Sequence, residues 1–273
     1  MSTTPLETGP GREGTNRPSG TFAPLPGPGP ETWEKLRLGI STCLMGEEVR
    51  WDGGHQRDDL LMNTVGEFVQ WVPVCPEVDI GLGTPREPIR LVRDGKILRL
   101  VGTQSGADHT EAMLVYSAEK VAQLAHWGLS GYILKKDSPT CGMERVKVYD
   151  HNGAPAGEGR GLYAAELLDR YPLLPVEEEE RLHDPRLREN FFERVFAYRR
   201  LRLFFSRPCN LGELVAFHSR EKYLLLAHDQ EGYRRLGRLV ARAKDHDPAT
   251  LATDYFLLFM TTLRKRPEPL PEG

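Results

Sequence analysis

The chain has 273 residues, with 36 basic and 39 acidic side chains and a formal net charge of −3, so its total charge singles out no strongly charged partner. Four cysteines set far apart, with no secretory leader ahead of them, are not a disulfide framework. No apolar run is long enough to cross a bilayer, and the expectation is a cytoplasmic protein with no membrane partner.

Residues 1–32 are rich in Pro, Gly, Ser and Thr and lack hydrophobic periodicity, which predicts a disordered tail. Order is expected from Trp33. Leu36–Ser41 reads as a first buried strand, Phe68–Val74 as a second and Gly131–Leu134 as a third. A cysteine stands just after each: Cys43, Cys75 and Cys141. Open α/β sheets build their sites beyond the carboxyl ends of their strands, so parallel packing of these three would bring the thiols to one edge. Between the first two strands, Asp52-Gly53-Gly54-His55 is a loop signature that lets backbone approach a ligand or turn tightly, and Asp59–Gly66 can start a helix. After Cys75, the stretch Pro76–Arg86 holds too much Gly and Pro for regular structure. Ile89–Val92 and Ile97–Val101 form a hairpin about Asp94-Gly95. Asp108–His126 is a helix that delivers the chain to the third strand, Gly153–Gly161 is a flexible loop, and Tyr163–Tyr171 is a short helix.

The rest reads differently. Glu177–Glu180 is an acidic run of the kind found in solvated linkers or helix starts, and from Asp184 onward apolar residues recur at helical spacing. Further helices are expected over Leu211–Ala227, Gly232–Ala243 and Leu251–Leu263. From Arg181 to Arg266 there are 18 Lys and Arg against 10 Asp and Glu, while the remainder holds 18 against 29. The expected architecture is therefore an α/β, Rossmann-like open sheet over residues 33–176, followed by a smaller, basic all-α domain over 177–273.

Three cysteines after three strands allow several chemistries. A structural zinc normally takes four ligands, two of them from a Cys-x-x-Cys knuckle that this chain lacks. One cysteine could be a catalytic thiol, all three could be buried free thiols, or three thiolates could hold an iron–sulfur cluster with one iron open to substrate. Cys209 lies in the helical half and is expected to take no part.

Four stretches carry a resemblance: Ile40-Ser41-Thr42-Cys43-Leu44-Met45-Gly46, Asp52-Gly53-Gly54-His55, Val72-Pro73-Val74-Cys75-Pro76-Glu77-Val78 and Ser138-Pro139-Thr140-Cys141-Gly142. In this order they resemble the thiouracil desulfurase family. The helical half, through Leu214–Tyr223 and Gly232–Gly237, looks like the domain fused behind that module in the branch of tRNA 4-thiouridine desulfidases. The resemblance implies a [4Fe-4S] cluster on Cys43, Cys75 and Cys141 with one iron not ligated by protein. It implies catalytic roles for Glu77 and Ser138 and a substrate loop at Asp52, Gly53, Gly54 and His55. The open iron would polarise a C=S bond, water would add at carbon, and sulfur would leave as hydrosulfide without net redox change.

The substrate so implied is a thiolated uracil, 4-thiouridine in tRNA or a small free base or nucleoside. A tRNA partner would be held through Arg220, Lys222, Arg234, Arg235 and Arg238, with Trp51 or His55 stacking on the unstacked base. A non-catalytic RNA-binding protein with a structural metal is the reading from another class.

Overall fold

The computed structural model describes residues 36–267; the expected disordered tail lies outside the described residues. Its centre is a four-stranded parallel sheet of β1 (Leu36–Ser41), β2 (Val69–Val74), β5 (Gly131–Leu134) and β8 (Val176–Glu178), in the order β2-β1-β5-β8. β1 and β5 are the inner strands and are almost wholly buried, which is why Leu38, Ile40, Tyr132, Ile133 and Leu134 read as near-continuous apolar runs. The chain leaves β1 toward β2 on one side and later returns to β5 on the other. The strand order therefore reverses between β1 and β5, opening a crevice beyond their carboxyl ends.

Helices cover both faces. One face packs Leu36, Leu38, Ile40 and Ile133 against Leu61 of α1 (Asp59–Asn63) and against Phe191 and Val195 of α5 (Pro185–Phe205). The other packs Val72, Tyr132 and Leu134 against Met113 and Val121 of α3 (Thr110–Leu124) and Tyr163 and Leu167 of α4 (Leu162–Arg170). Gly39 is required here: a Cβ on it would stand 2.2 Å from the Tyr132 ring, and the ring fills that space.

After β2 the chain makes α2 (Pro76–Asp79), and a second sheet, β4-β3-β6-β7, is built from β3 (Ile89–Asp94) and β4 (Ile97–Gly102) ahead of β5 and from β6 (Val146–Tyr149) and β7 (Pro155–Gly159) after it. Three expectations change here. The Gly- and Pro-rich stretch after Cys75 starts with a helical turn, because Pro76 at its first position is pre-set for helix and needs no hydrogen bond from its nitrogen. The glycine-rich 153–161 segment is not simply a loop, since Pro155–Gly159 pairs antiparallel with β6 as an exposed edge strand. And the acidic run is not a solvated linker. Glu177, Glu178 and Glu179 are 6%, 6% and 7% exposed, and β8 completes the parallel sheet. Their charges are met inside the protein: Glu177 pairs with Arg181 at 2.8 Å, Glu178 accepts from the Met143 amide at 2.8 Å, and Glu179 accepts from the Lys136 amide at 2.8 Å and pairs with Lys135. Burial pushes the carboxyls of Glu177 and Glu178 up.

After α5 come α6 (Leu211–Arg220), α7 (Lys222–His228), α8 (Gln230–Ala241) and α9 (Pro248–Leu263). The single helix expected over 211–227 is two. The break falls at Glu221, which is buried and held by two hydrogen bonds from Arg200 of α5, each 2.7 Å. Their aromatic side chains, Phe217, Tyr255, Phe256 and Phe259, join the same core cluster as α3 and α4. Among the described residues no helix is long and apolar enough to cross a membrane.

Candidate active site at the carboxyl edge of the parallel sheet

A cavity of about 420 Å³ opens at the crevice between β1 and β5, and Cys43, Cys75, Cys141, Glu77 and Ser138 all line it. They arrive on three strand ends: Cys43 after β1, Cys75 and Glu77 after β2, and Ser138 and Cys141 after β5. β1 runs into a short 3₁₀ turn over Thr42–Met45, closed by Gly46 in left-handed backbone, which sets Cys43 at the cavity wall. β2 ends at Cys75, the N-cap of α2, so Glu77 lies in the first turn of that helix.

The β5 loop is held most tightly. Ser138 Oγ accepts from the amides of Thr140 (3.2 Å) and Cys141 (3.1 Å), and the Gly142 amide donates back to the Ser138 carbonyl at 2.8 Å. Cβ-less Gly142 allows this, since a methyl there would stand 2.3 Å from Val146. From behind, the first amides of α4 clasp the loop: Leu162 donates to the Pro139 carbonyl at 3.3 Å and Ala164 to the Thr140 carbonyl at 3.1 Å. Gly161 lets that helix approach, for a Cβ would stand 2.4 Å from the Thr140 backbone. Glu178 and Glu179, described above, grip the loop from the β8 side. Cys141 is consequently buried and Thr140 fully so.

Burial raises all three thiols: Cys141 to about 12, Cys43 to about 11, where neighbouring Cys75 adds to the effect, and Cys75 in the same direction. Lys135 and Arg50 act the other way on Cys43. Among the described residues no three His, Cys, Asp or Glu side chains close on a single metal-ion position. The thiols stand around the wall of the cavity.

Beside them runs a chain of hydroxyls. Ser138 Oγ is 2.9 Å from Thr140 Oγ1, which donates to Glu77 Oε1 at 2.9 Å; Ser138 itself is 3.4 Å from the same oxygen. The other oxygen of Glu77 pairs with Arg86, whose side chain is 6% exposed and also donates to the Val49 (3.0 Å) and Gly83 (2.7 Å) carbonyls. The carboxylate is thus fixed in direction with one oxygen turned toward the hydroxyls. The sequence does not single out Thr140. The one available clue was its place inside Ser-Pro-Thr-Cys-Gly, beside a ligand candidate.

Asp52, Gly53, Gly54 and His55 do not line the cavity; their neighbours Arg50, Trp51 and Gln56 do. Asp52 accepts from the Gly54 amide at 3.1 Å and pairs with Arg50 at 3.4 Å, while His55 Nδ1 accepts from the Arg57 amide at 3.2 Å. The segment is a rim turn that presents Trp51, 44% exposed, at the mouth. Asp137, also at the mouth, has left-handed backbone, φ 59°. Cys209 lies before α6, outside the cavity.

Arg220, Lys222, Arg234, Arg235 and Arg238, the helical-half residues expected to hold RNA, are all exposed but form two groups. Arg235 and Arg238 line a groove of about 620 Å³ between α8 and α9, with Arg242 beside them and Leu257 and Leu258 as its apolar wall. Arg234 and Arg238 both pair with Glu231, at 3.9 and 2.8 Å. Arg220 lies over the Phe217 ring and Lys222 over that of Tyr223, outside the groove.

Residues 38–179 match the family model described as 2-thiouracil desulfurase, and residues 222–270 match a second model, a protein family of unknown function called DUF1722. An uncharacterized protein of Bacillus subtilis, YbbK, is 34% identical over 136 residues, covering 47% of this chain and 87% of its own. A solved structure titled "[4Fe-4S]-dependent thiouracil desulfidase TudS" is 32% identical, covers 59% of this chain and 99% of its own, and superposes with a TM-score of 0.45. The matched span of the first model runs from β1 to the buried Glu179, taking in every strand of the parallel sheet, all three cavity thiols and the Glu77–Thr140–Ser138 chain. On that match over more than half its length, the chain belongs to the 2-thiouracil desulfurase family.

Proposed function

We propose that this protein removes sulfur from a thiolated uracil, replacing C=S by C=O with water and releasing hydrosulfide, and that it does so with a [4Fe-4S] cluster on Cys43, Cys75 and Cys141. The observation that carries this reading is the meeting of three thiols and a fixed carboxylate in one cavity at the crevice of the sheet. The residues suit such a group. Three soft sulfurs on the wall of one cavity are the donor set of an iron–sulfur centre, and Lys135 and Arg50 offset the charge of the thiolates.

When bound through three thiolates, the cluster supplies one iron with an open position, a Lewis acid for a thiocarbonyl sulfur. The protein's own part is positioning and proton transfer. Glu77, aimed by Arg86, takes a proton from the water that adds at the thiocarbonyl carbon. Thr140 and Ser138 extend its reach as a relay of hydroxyls, each donating to the next acceptor. Trp51 at the mouth offers a ring on which a base can stack. Water in and hydrosulfide out leave carbon, sulfur and iron without net change in oxidation state.

The preferred substrate in this reading is 4-thiouridine in tRNA. The exposed Arg220, Lys222, Arg234, Arg235 and Arg238 would hold the RNA through its phosphates. Anaerobically reconstituted protein should release one hydrosulfide for each uridine formed in thiolated tRNA. Turnover of free 4-thiouracil with none of the tRNA would move the assignment to the free base, and no hydrosulfide from either would overturn it.

A further inference from the structure

Ser41 lines the thiol cavity but stands outside the relay of Glu77, Thr140 and Ser138. It is the last residue of β1, one place beyond the Ile40–Ile133 pair that joins β1 to β5. Side chains alternate along a strand. Leu38 and Ile40 face α1 and α5, so Ser41 turns with Gly39 to the other face, on which Tyr132, Tyr163 and Cys141 pack. There it is 3% exposed, out of reach of bulk water.

A buried hydroxyl needs partners inside the protein for both its lone pairs and its one proton. Ser41 Oγ accepts from the Lys135 amide at 2.9 Å. That amide is itself held in place: the Lys135 ammonium pairs with Glu179, and the next amide, of Lys136, donates to the same carboxylate at 2.8 Å. With its acceptor side fixed, the Ser41 hydroxyl turns its proton to Cys141, its other hydrogen-bond partner. The two further hydroxyls near that sulfur are committed elsewhere. Thr140 Oγ1, 3.6 Å from Cys141 Sγ, donates to the Glu77 carboxylate at 2.9 Å, and Ser138 Oγ is 2.9 Å from Thr140 Oγ1. A carboxylate is the stronger acceptor for the Thr140 proton.

We propose that Ser41 is a positioning residue for the reaction: its hydroxyl, donating to Cys141 Sγ, draws charge from that sulfur and makes the centre that Cys141 ligates a stronger Lewis acid for the thiocarbonyl. This rests on the cluster of the proposed function. Hydrogen bonds to ligand sulfurs also set the reduction potential of an iron–sulfur centre, and a donor raises it by the same withdrawal of charge. Glu77 and Ser41 then act on opposite ends of the C=S bond. Glu77 serves the water that adds at carbon, and Ser41 works through Cys141 on the side of the sulfur.

Two variants and two readouts test this. Ser41→Ala removes the donor, and Ser41→Thr keeps a hydroxyl at the same place. After anaerobic reconstitution, Ser41→Ala should have a more negative reduction potential than the native chain. Its kcat should fall by about fivefold, the effect of one hydrogen bond, with KM little changed. Ser41→Thr should stay with the native chain in both. The second readout needs no cluster. In the metal-free chain, the Raman S–H band of Cys141, identified by its loss in Cys141→Ala, should shift in Ser41→Ala and hold in Ser41→Thr. An unmoved potential or an unmoved Cys141 band in Ser41→Ala, or equal shifts in Ser41→Thr, overturns the inference. So does a native chain whose Cys141 band lies at the position of an unbonded thiol, whatever the variants do. A native chain that binds no iron strikes the cluster reading instead, and the Raman comparison still decides whether Ser41 donates to Cys141.

Discussion

The carboxyl edge of the parallel sheet and the α8–α9 surface both gather charged side chains, but they hold them in opposite ways. At the edge, Arg86 and Glu77 are 6% and 14% exposed, and each is tied to further polar groups. On the helices, Arg234 and Arg238 are 63% and 62% exposed and share one glutamate. Water weakens the second arrangement to within about 1 kcal/mol per pair, whereas breaking a buried pair costs about 3–5 kcal/mol because a charge is left behind. The edge is therefore a place of fixed direction, suited to chemistry on one atom. The helical surface is a place of loose, long-range attraction, which in the proposed reading meets the phosphates of tRNA. Mutations should separate the two sharply.

The largest effect is expected from the thiols. Cys43→Ala, Cys75→Ala and Cys141→Ala should each lose the visible absorbance and bound iron of anaerobically reconstituted protein, and Cys209→Ala should keep both. Next come Glu77→Gln and Thr140→Val. Glu77→Gln should retain iron yet lower turnover by about 10²–10⁴-fold, the usual range for a general base. Thr140→Val, which cuts the relay but leaves the carboxylate in place, should fall less far; equal losses would mean that Thr140 acts through the loop and not through its hydroxyl.

A smaller effect belongs to His218, buried in the helical region, stacked on Tyr233 at 5.2 Å and 3.1 Å from the Tyr255 hydroxyl. Burial lowers its proton affinity in the folded chain. The unfolded chain therefore takes up the proton first as pH falls below about 6.5, the ordinary histidine value, and stability declines there. Thermal unfolding should show this slope in the native chain and a flatter one in His218→Gln. The smallest effects are on the helical surface: Arg235→Ala or Arg238→Ala should weaken tRNA binding modestly and lower its salt dependence by about one ion per contact removed, while hydrosulfide release from free thiouracil stays as it was.

The strands that carry the cysteines were legible because both faces of a parallel sheet are buried, which leaves unbroken apolar runs such as Gly131–Leu134, and because a cysteine stands in the loop after each run. Long helices announced themselves by their apolar period, as with α5 just past Asp184. What stayed hidden depended on partners distant in the chain. Glu177–Glu179 look solvated until Arg181, Lys135 and the amides of the Cys141 loop close on them. Pro155–Gly159 has no strand character of its own and becomes one by pairing with β6. Thr140 and Arg86 owe their roles to the direction of a single carboxylate, which no local pattern encodes.

Mössbauer spectroscopy of the reconstituted protein, recorded with and without 4-thiouracil, addresses the proposed centre directly. With Cys43, Cys75 and Cys141 as its three protein ligands, a four-iron cluster should show one iron in four whose signal shifts when the thiolated base is added, the other three staying nearly fixed. A cluster whose spectrum is unchanged by the base, or a protein that binds no iron while retaining all three thiols, would contradict it.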